Sequence, residues 1–422
     1  IQDIAHHALL KQLEYYSADH GCVVVMETKT GHIKAISNLG RAENGSYFET
    51  QNYAIMESHE PGSTFKLMDL IAVLDDKKAD TGTVYNSFGG EIQYYGRRVK
   101  DSHKGGYGKI SLARGFEVSS NTVLVQSVYE SYKNNPKQFV DRINSYGLNK
   151  PLGLPIKGEG IPVIPQPGTN RWSGVSLPWM AFGYGLSVTP LQTLTLYNAV
   201  ANDGVMVKPI FVSEIKEWNK IIKKFDTQVI NPKICSQETL DKVHAVLENV
   251  VKKGTGSKLY SKDFSMAGKT GTAQVNYKNK AQLYYASSFV GYFPADEPKY
   301  SCIVVVHKPN VAAGYYGADV AGPVFKRIAQ KIFTDSPSMN HVKNIDAKVV
   351  SQEKSYSEYY KKVEKEERIV PNVKGMEGMD AVALLENLGL KVIVKGIGRV
   401  KNQSLTSGQA FNKNQTIIIE LS

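Results

Sequence analysis

Three short patterns in this 422-residue chain bring together side chains that could carry nucleophilic chemistry: Ser63-Thr64-Phe65-Lys66, Ser119-Ser120-Asn121 and Lys269-Thr270-Gly271-Thr272. In the first, a hydroxyl stands one helical turn from an amine that could take its proton. Each pattern alone is weak. Ser-x-x-Lys recurs at Ser213 with Lys216 and at Ser351 with Lys354, Ser-x-Asn at Ser338 with Asn340, and Lys-Thr-Gly at Lys29 to Gly31. The bland readings are a capping serine with a solvated lysine in the first pattern, and turn chemistry in the third.

Local context separates the first set from its duplicates. Ser63 follows the turn-forming Glu60-Pro61-Gly62 and opens an apolar helical pattern running to Leu74. That position sets the hydroxyl over unpaired backbone N–H groups at the positive end of a helix dipole, where a developing oxyanion is favoured. For Lys66 to serve as base, its pKa must fall from about 10.4 towards 7, a selective destabilisation of the ammonium of roughly 4 to 5 kcal/mol. Burial plus a second cation could supply that, and Lys269 is the candidate cation. Lys269 lies in a strand-like run, Met266 to Val275, where Gly271 would let a substrate backbone come close. The copy at Lys29 instead sits between two β-rich runs, Val23 to Thr28 and His32 to Ser37, and reads as a hairpin turn.

Elements from both ends of the chain are needed to position these residues. Residues 1 to 17 carry Ile1, Ile4, Ala5, Ala8, Leu9 and Leu13 at helical spacing, a stripe that must lie on a sheet. Strands are expected at 264–276, 284–292 and 300–307, with a closing helix from Val324 to Phe333. Between them the chain reads as mainly helical. Thr189-Pro190 opens one helix, and Ser236 caps another that stops at Gly254. Segments 82–110 and 150–186, rich in Gly, Pro and Tyr, read as long loops of the kind that often serve function. A densely charged stretch at 346–369 reads as a linker, and residues 370–422 as a small separate domain.

Taken in order, the three motifs resemble those of class B penicillin-binding proteins, over residues 1–345. Glu60 to Lys66, Val188-Thr189-Pro190-Leu191-Gln192, Ser288 to Pro294 and Ala321 to Phe325 support the resemblance. It implies an α+β transpeptidase fold, with an antiparallel sheet flanked by the N- and C-terminal helices and a mainly helical subdomain. It also implies roles. Ser63 would attack the penultimate D-alanine carbonyl of a stem peptide, Lys66 would take its proton, and Ser119 would pass a proton to the departing D-alanine. Asn121 would bind the substrate backbone, and Lys269 would tune Lys66 and Ser119. Thr270 and Thr272 would bind the terminal carboxylate beside Gly271, and the backbone N–H groups of Ser63 and Thr272 would form the oxyanion hole. The implied partners are stem peptides as donor and amine acceptor, β-lactams, and other wall or division proteins. The family also implies the outer face of the cytoplasmic membrane, with an anchor upstream of Ile1. The tail resembles a PASTA domain, with Leu405 where that family commonly has proline, and points to the division subgroup.

Several classes are set aside by composition. Hydrophobic residues at 42% and charged residues at 22% exclude both a disordered and a membrane-embedded chain. The net charge of +11 favours anionic surfaces, but no zinc-finger spacing or basic recognition helix accompanies it, so nucleic acid is not expected. Cys22, Cys235 and Cys302 form no close pair, and Cys22 and Cys302 read as buried thiols. The nine histidines show no ligand spacing beyond His6 and His7, which face different sides of a helix, so neither a structural metal nor a cofactor is expected. A β-lactamase would share the motifs but would need a group to activate water, for which Glu159 is a candidate. A DD-carboxypeptidase would differ only in using water as acceptor, and a non-turnover β-lactam sensor would keep only the acylation residues.

Overall fold

The computed structural model describes residues 1–218, 220–277, 279–335 and 368–422. The chain forms two compact units, Ile1–Pro337 and Ser338–Ser422. All but the last two residues of the charged stretch at 346–369 lie outside the described residues. So do the duplicate motifs at Ser338 and Ser351.

Six antiparallel strands make the principal sheet of the first unit: β1 (His20–Glu27), β2 (Ile33–Arg41), β3 (Tyr47–Phe48), β4 (Ala267–Val275), β5 (Tyr284–Phe293) and β6 (Tyr300–His307). Their order across the sheet is β4-β5-β6-β1-β2-β3, so β1 is paired directly with β6 from the far end of the chain. Both faces of β1 are covered, which is why Cys22 to Met26 is an unbroken apolar run rather than an alternating one. Val23 and Val25 lie in one core with Leu9 and Leu13 of the helix α1 (Gln2–Tyr16) and Phe325 of the helix α7 (Gly322–Asp335). Cys22, Val24 and Met26 belong to the core shared with the helical region on the opposite face. Each fully buried side chain of this kind contributes about 1.5 to 3 kcal/mol. Of the predicted stripe on α1, Ala5, Ala8, Leu9 and Leu13 are buried, but Ile1 is exposed because it precedes the first helical turn.

The helical region is built from α2 (Lys66–Asp75), α3 (Leu112–Glu117), α4 (Asn121–Tyr132), α5 (Pro190–Ala201) and α6 (Gln237–Lys253), with further helices between them. The expected helix starts hold at the level of individual hydrogen bonds. Thr189 forms a reciprocal capping box with Gln192, and the Ser236 hydroxyl accepts from Thr239 N–H. Segment 82–110 departs from its reading as loop. Val84–Asn86 pairs with Lys109–Ser111, and Glu91–Tyr94 forms a hairpin with Arg97–Lys100. These strands are short and mostly solvated, so they lack the alternation that marks a half-buried strand. All three cysteines are buried and free, with burial pushing each thiol's pKa up.

In the second unit, α8 (Gly378–Asn387) packs through Ala381, Leu384 and Leu385 against three strands, β7 (Lys391–Lys395), β8 (Val400–Gln403) and β9 (Thr416–Leu421). The central strand, β9, runs parallel to β7 and antiparallel to β8. The sequence reading omits β8, a short strand with only Val400 fully buried. At the departure noted from the family pattern, the Leu405 carbonyl accepts from Gln403 Nε2 at 2.9 Å.

Candidate active site

The nucleophile candidate sits on a turn that is neither loop nor α-helix. Gly62–Thr64 forms one turn of 3₁₀-helix, closed by Phe65 N–H donating to the Gly62 carbonyl at 2.9 Å, and α2 begins only at Lys66. The turn is fastened from outside. Tyr197 OH on α5 donates to the Thr64 carbonyl at 2.8 Å, and Thr64 Oγ1 donates to the Pro61 carbonyl at 2.8 Å. Ser63 caps neither helical segment, so its hydroxyl is not spent on the helix start as the bland reading would have it. It lines a cleft of about 790 Å³, together with Ser119, Asn121, Thr270 and Thr272.

Ser119 is held in a strained backbone conformation. Helix α3 ends in a Schellman motif, with Ser119 N–H bonded to Phe116 O at 3.0 Å and Ser120 N–H to Gly115 O at 2.8 Å. That motif needs a left-handed residue where Ser119 stands, and Ser119 accordingly has φ +58°. Glycine would adopt it freely; a serine there costs about 1 to 3 kcal/mol. The next residue caps α4, the Ser120 hydroxyl accepting from Val123 N–H at 3.2 Å. Ser120 Oγ, Thr122 N–H and Thr122 Oγ1 all donate to the Asp101 carboxylate at 2.9–3.1 Å, so Asp101 anchors the tripeptide. Sequence reasoning missed Asp101 because it follows the solvated 91–100 hairpin, where nothing singles out one acidic residue.

Two buried lysines meet at Ser119. Lys66 Nζ donates to Ser119 O at 2.8 Å, to Asn121 Oδ1 at 2.6 Å and to Ser119 Oγ at 3.3 Å. Lys269 Nζ donates to Ser119 Oγ at 2.8 Å and to Thr270 O at 3.0 Å. Both amines are fully buried. Burial, opposed by the charges of Asp101 and Asp69, brings Lys66 down to about 7. Burial, reinforced by the charge of Lys66, pushes Lys269 well below its ordinary value. The expected route holds only in part: burial is what lowers Lys66, whereas the effect of a neighbouring cation falls on Lys269, which Lys66 pushes down, rather than on Lys66 as expected.

The remaining expected residues lie along β4. Thr270 Oγ1 is 2.7 Å from Thr255 Oγ1 just beyond α6, and Thr272 Oγ1 accepts from Gly317 N–H at 2.9 Å. The reason for Gly271 differs from the one expected. A Cβ there would lie 2.2 Å from Ser288 Oγ and 2.9 Å from Thr64 Cγ2, so the glycine makes room for the turn carrying Ser63 rather than for a substrate backbone. Gly271, Lys66 and Lys269 do not line the cleft; they support it from behind.

Two further groups escaped the sequence reading. Asp69, one turn beyond Lys66, is completely buried, neither carboxylate oxygen has a hydrogen-bond partner among the described residues, and burial pushes its pKa well up. The second comprises cleft-wall aromatics: Trp179, Phe182 and Tyr184 from the long segment 150–186, and Tyr285 stacked on Tyr315 at 4.1 Å. Glu159 has another use. Its carboxylate accepts from Leu152 N–H and Leu154 N–H and does not line the cleft.

A mixed fold with a central antiparallel sheet, and a serine in a cleft backed by two buried amines, define an active-serine class in which lysine takes the place of histidine. Comparison with known proteins agrees. Residues 21–330 match the penicillin binding protein transpeptidase domain and residues 368–422 match the PASTA domain, so the chain belongs to the penicillin-binding-protein transpeptidase family and carries a PASTA domain. It is 28% identical, across its whole length, to stage V sporulation protein D of Bacillus subtilis, and 28% identical over 78% of its length to the peptidoglycan D,D-transpeptidase FtsI of Escherichia coli. The chain spans 64% and 53% of those two proteins. Among solved structures, penicillin binding protein 3 of Mycobacterium tuberculosis in complex with aztreonam is similar, with TM-score 0.69 and 26% identity. That match covers 80% of this chain and 77% of that one.

Proposed function

We propose that this chain is the catalytic part of a peptidoglycan D,D-transpeptidase that cross-links stem peptides and is acylated by β-lactams at Ser63. The observation that carries the proposal is the bridging of Ser119 Oγ by Lys66 and Lys269, with Ser119 lining the same cleft as Ser63. Neutral Lys66 takes the Ser63 proton as Oγ attacks the penultimate D-alanine carbonyl. The resulting oxyanion is bound by the backbone N–H groups of Ser63 and Thr272, where one donor is typically worth about 10² to 10³ in rate. The C–N bond then breaks, and the departing D-alanine nitrogen receives a proton through Ser119. An amine from a second stem peptide attacks the Ser63 ester and restores the hydroxyl. Asn121 orients the donor backbone, and Thr270 and Thr272 receive its terminal carboxylate.

Membership of the family supports placing the chain in the cell envelope, on the outer face of the cytoplasmic membrane, in division-type wall synthesis alongside other wall proteins. Among the described residues no helix is long and apolar enough to cross a membrane. Hydrolytic deacylation is disfavoured because Glu159, the candidate water-activating group, is tied to backbone amides away from the cleft. Labelling with a fluorescent penicillin tests the acylation step. A stable adduct is expected on the wild type and none on Ser63→Ala, and labelling that survives that substitution sinks the assignment. Turnover of a stem peptide with and without an amine acceptor then separates cross-linking from hydrolysis.

A further inference from the structure

Away from the Ser63 cleft, two histidines and a glutamate converge that no sequence spacing connects. His20 opens β1 and His307 closes β6, and the two are direct partners in the antiparallel register, so their side chains share one face at one end of the sheet. Their rings stack at 4.4 Å, 11° apart. Glu57, six residues ahead of Ser63, places Oε2 2.9 Å from His20 Nε2 and 3.8 Å from His307 Nε2. All three ligand atoms lie within 4.8 Å of one another.

A tetrahedral zinc site with bonds of about 2.0–2.2 Å needs donors roughly 3.3–3.6 Å apart, a spacing that the two Glu57 separations bracket, and the stacked rings must turn about their side-chain torsions for both Nε2 lone pairs to meet one ion. The surroundings favour a cation there. His20 Nδ1 faces Asp19 Oδ2 at 2.9 Å, the outer carboxylate that typically orients a metal-bound imidazole. Both ring nitrogens of His20 face carboxylate oxygens at 2.9 Å, so the side facing Glu57 must hold either a second proton or a metal ion. A second observation concerns the neighbouring ring: among the described residues His59 Nδ1 is buried without a hydrogen-bond partner, and the His59 ring lies edge-on to His307 at 5.1 Å. Buried imidazole nitrogens left this way are rare unless something else satisfies them. The His20 side chain is 13% exposed and that of Glu57 31%, so an ion has a path in.

We infer that His20, Glu57 and His307 form a binding site for a divalent transition-metal ion, of which zinc is the natural probe. Two imidazoles and one carboxylate suit late first-row ions better than calcium or magnesium. Such an ion would clamp the segment leading to Ser63 onto the ends of β1 and β6. The site stands apart from the chemistry assigned to Ser63 and does not depend on it.

The test takes the whole chain, stripped with a chelator, and titrates it with Zn²⁺ by calorimetry. Metal content is then measured after gel filtration, and Co²⁺ is used as a spectroscopic substitute. One equivalent retained, with the visible absorption of a nitrogen-ligated Co²⁺ site, is expected for the wild type and for a His6→Gln, His7→Gln control. Glu57→Gln and His307→Gln should each bind at least tenfold more weakly. Either variant could misfold, so His20→Gln and a circular dichroism melt accompany them. In a folded variant, the rise in melting temperature that Zn²⁺ gives the wild type should be absent. A folded wild type retaining under a tenth of an equivalent overturns the proposal. Retention that survives both Glu57→Gln and His307→Gln overturns it too, and a proton on His20 then accounts for the cluster.

Discussion

The tripeptide Lys-Thr-Gly occurs twice in the first unit, and the two copies have opposite fates. At Lys29 it turns the β1–β2 hairpin. The ammonium is two-thirds exposed and pairs with the equally exposed Asp203 at 2.9 Å, and Gly31 supplies the positive φ of +79° that the turn requires. An exposed pair of this kind is worth about 0 to 1 kcal/mol. At Lys269 the same residues run along β4, with the amine wholly buried, no ion pair among the described residues, and its best hydrogen bond spent on Ser119 Oγ. The residues are identical and the chemistry is not. A lysine becomes reactive through what encloses it, here Phe116 beneath the amine at 5.7 Å and Lys66 competing for the same hydroxyl.

The largest expected effect separates the two copies directly. Lys269→Ala should slow acylation by penicillin by about 10² to 10⁴-fold, the usual worth of a proton-handling group. Lys29→Ala should leave the rate within twofold and stability within about 0.5 kcal/mol. Stopped-flow acylation and thermal melts measure both, and equal effects would break the comparison. The second effect is on pH. Because burial favours the neutral amine of Lys66, the acylation rate should climb as pH rises through about 7 and level off above it. A limb centred near the ordinary lysine value would remove Lys66 from the base role. Third come the glycines. Gly271→Ala drives a Cβ into Ser288 and Thr64 and should slow acylation through the displaced Ser63 turn. Gly31→Ala meets Lys208 O at 2.4 Å at a left-handed φ, and should cost about 1 to 3 kcal/mol of stability without slowing acylation in the folded protein.

What could be read beforehand follows the same division between local and enclosed. The hairpin turn, the Thr189 and Ser236 caps and the strands near 267, 284 and 300 are written in short-range patterns of polarity and turn residues. The three motifs were legible because their members sit within four residues of each other. The left-handed Ser119 was not, since its conformation is imposed by a Schellman ending in which serine takes the place usually held by glycine. Nor was the convergence of His20, Glu57 and His307, which depends on the first and last strands of the sheet lying side by side. Asp69 was obscured for a different reason. Three residues after a lysine on a helix, an aspartate reads as half of a solvated pair, and only the burial of every residue from Lys66 to Leu74 reveals otherwise.

Asp69 also supplies the smallest effect and the finest test of the comparison. Asp203 beside Lys29 is an exposed carboxylate; Asp69 lies beside Lys66 with no hydrogen-bond partner for either oxygen among the described residues, and burial raises its pKa well above the usual carboxylate range. A carboxyl whose folded-state pKa is raised contributes stability that is fully present below its unfolded value. That contribution is lost as pH rises towards the folded value. At neutral pH the native residue therefore costs stability. Asp69→Asn should raise the melting temperature at pH 7 by about 1 to 3 °C, and the gain should shrink as pH falls towards 4. The acylation profile decides whether Asp69 is neutral in the working enzyme. An ionised Asp69 would hold the Lys66 pKa up, so its replacement would move the rising limb to lower pH. A neutral Asp69 has no charge to remove, and the limb should stay where it is. Because the charge of Asp69 is one of those opposing the fall in the Lys66 pKa, a downward shift of the limb together with a pH-dependent gain in stability is the expected pair, and an unmoved limb would mean that Asp69 is neutral in the working enzyme.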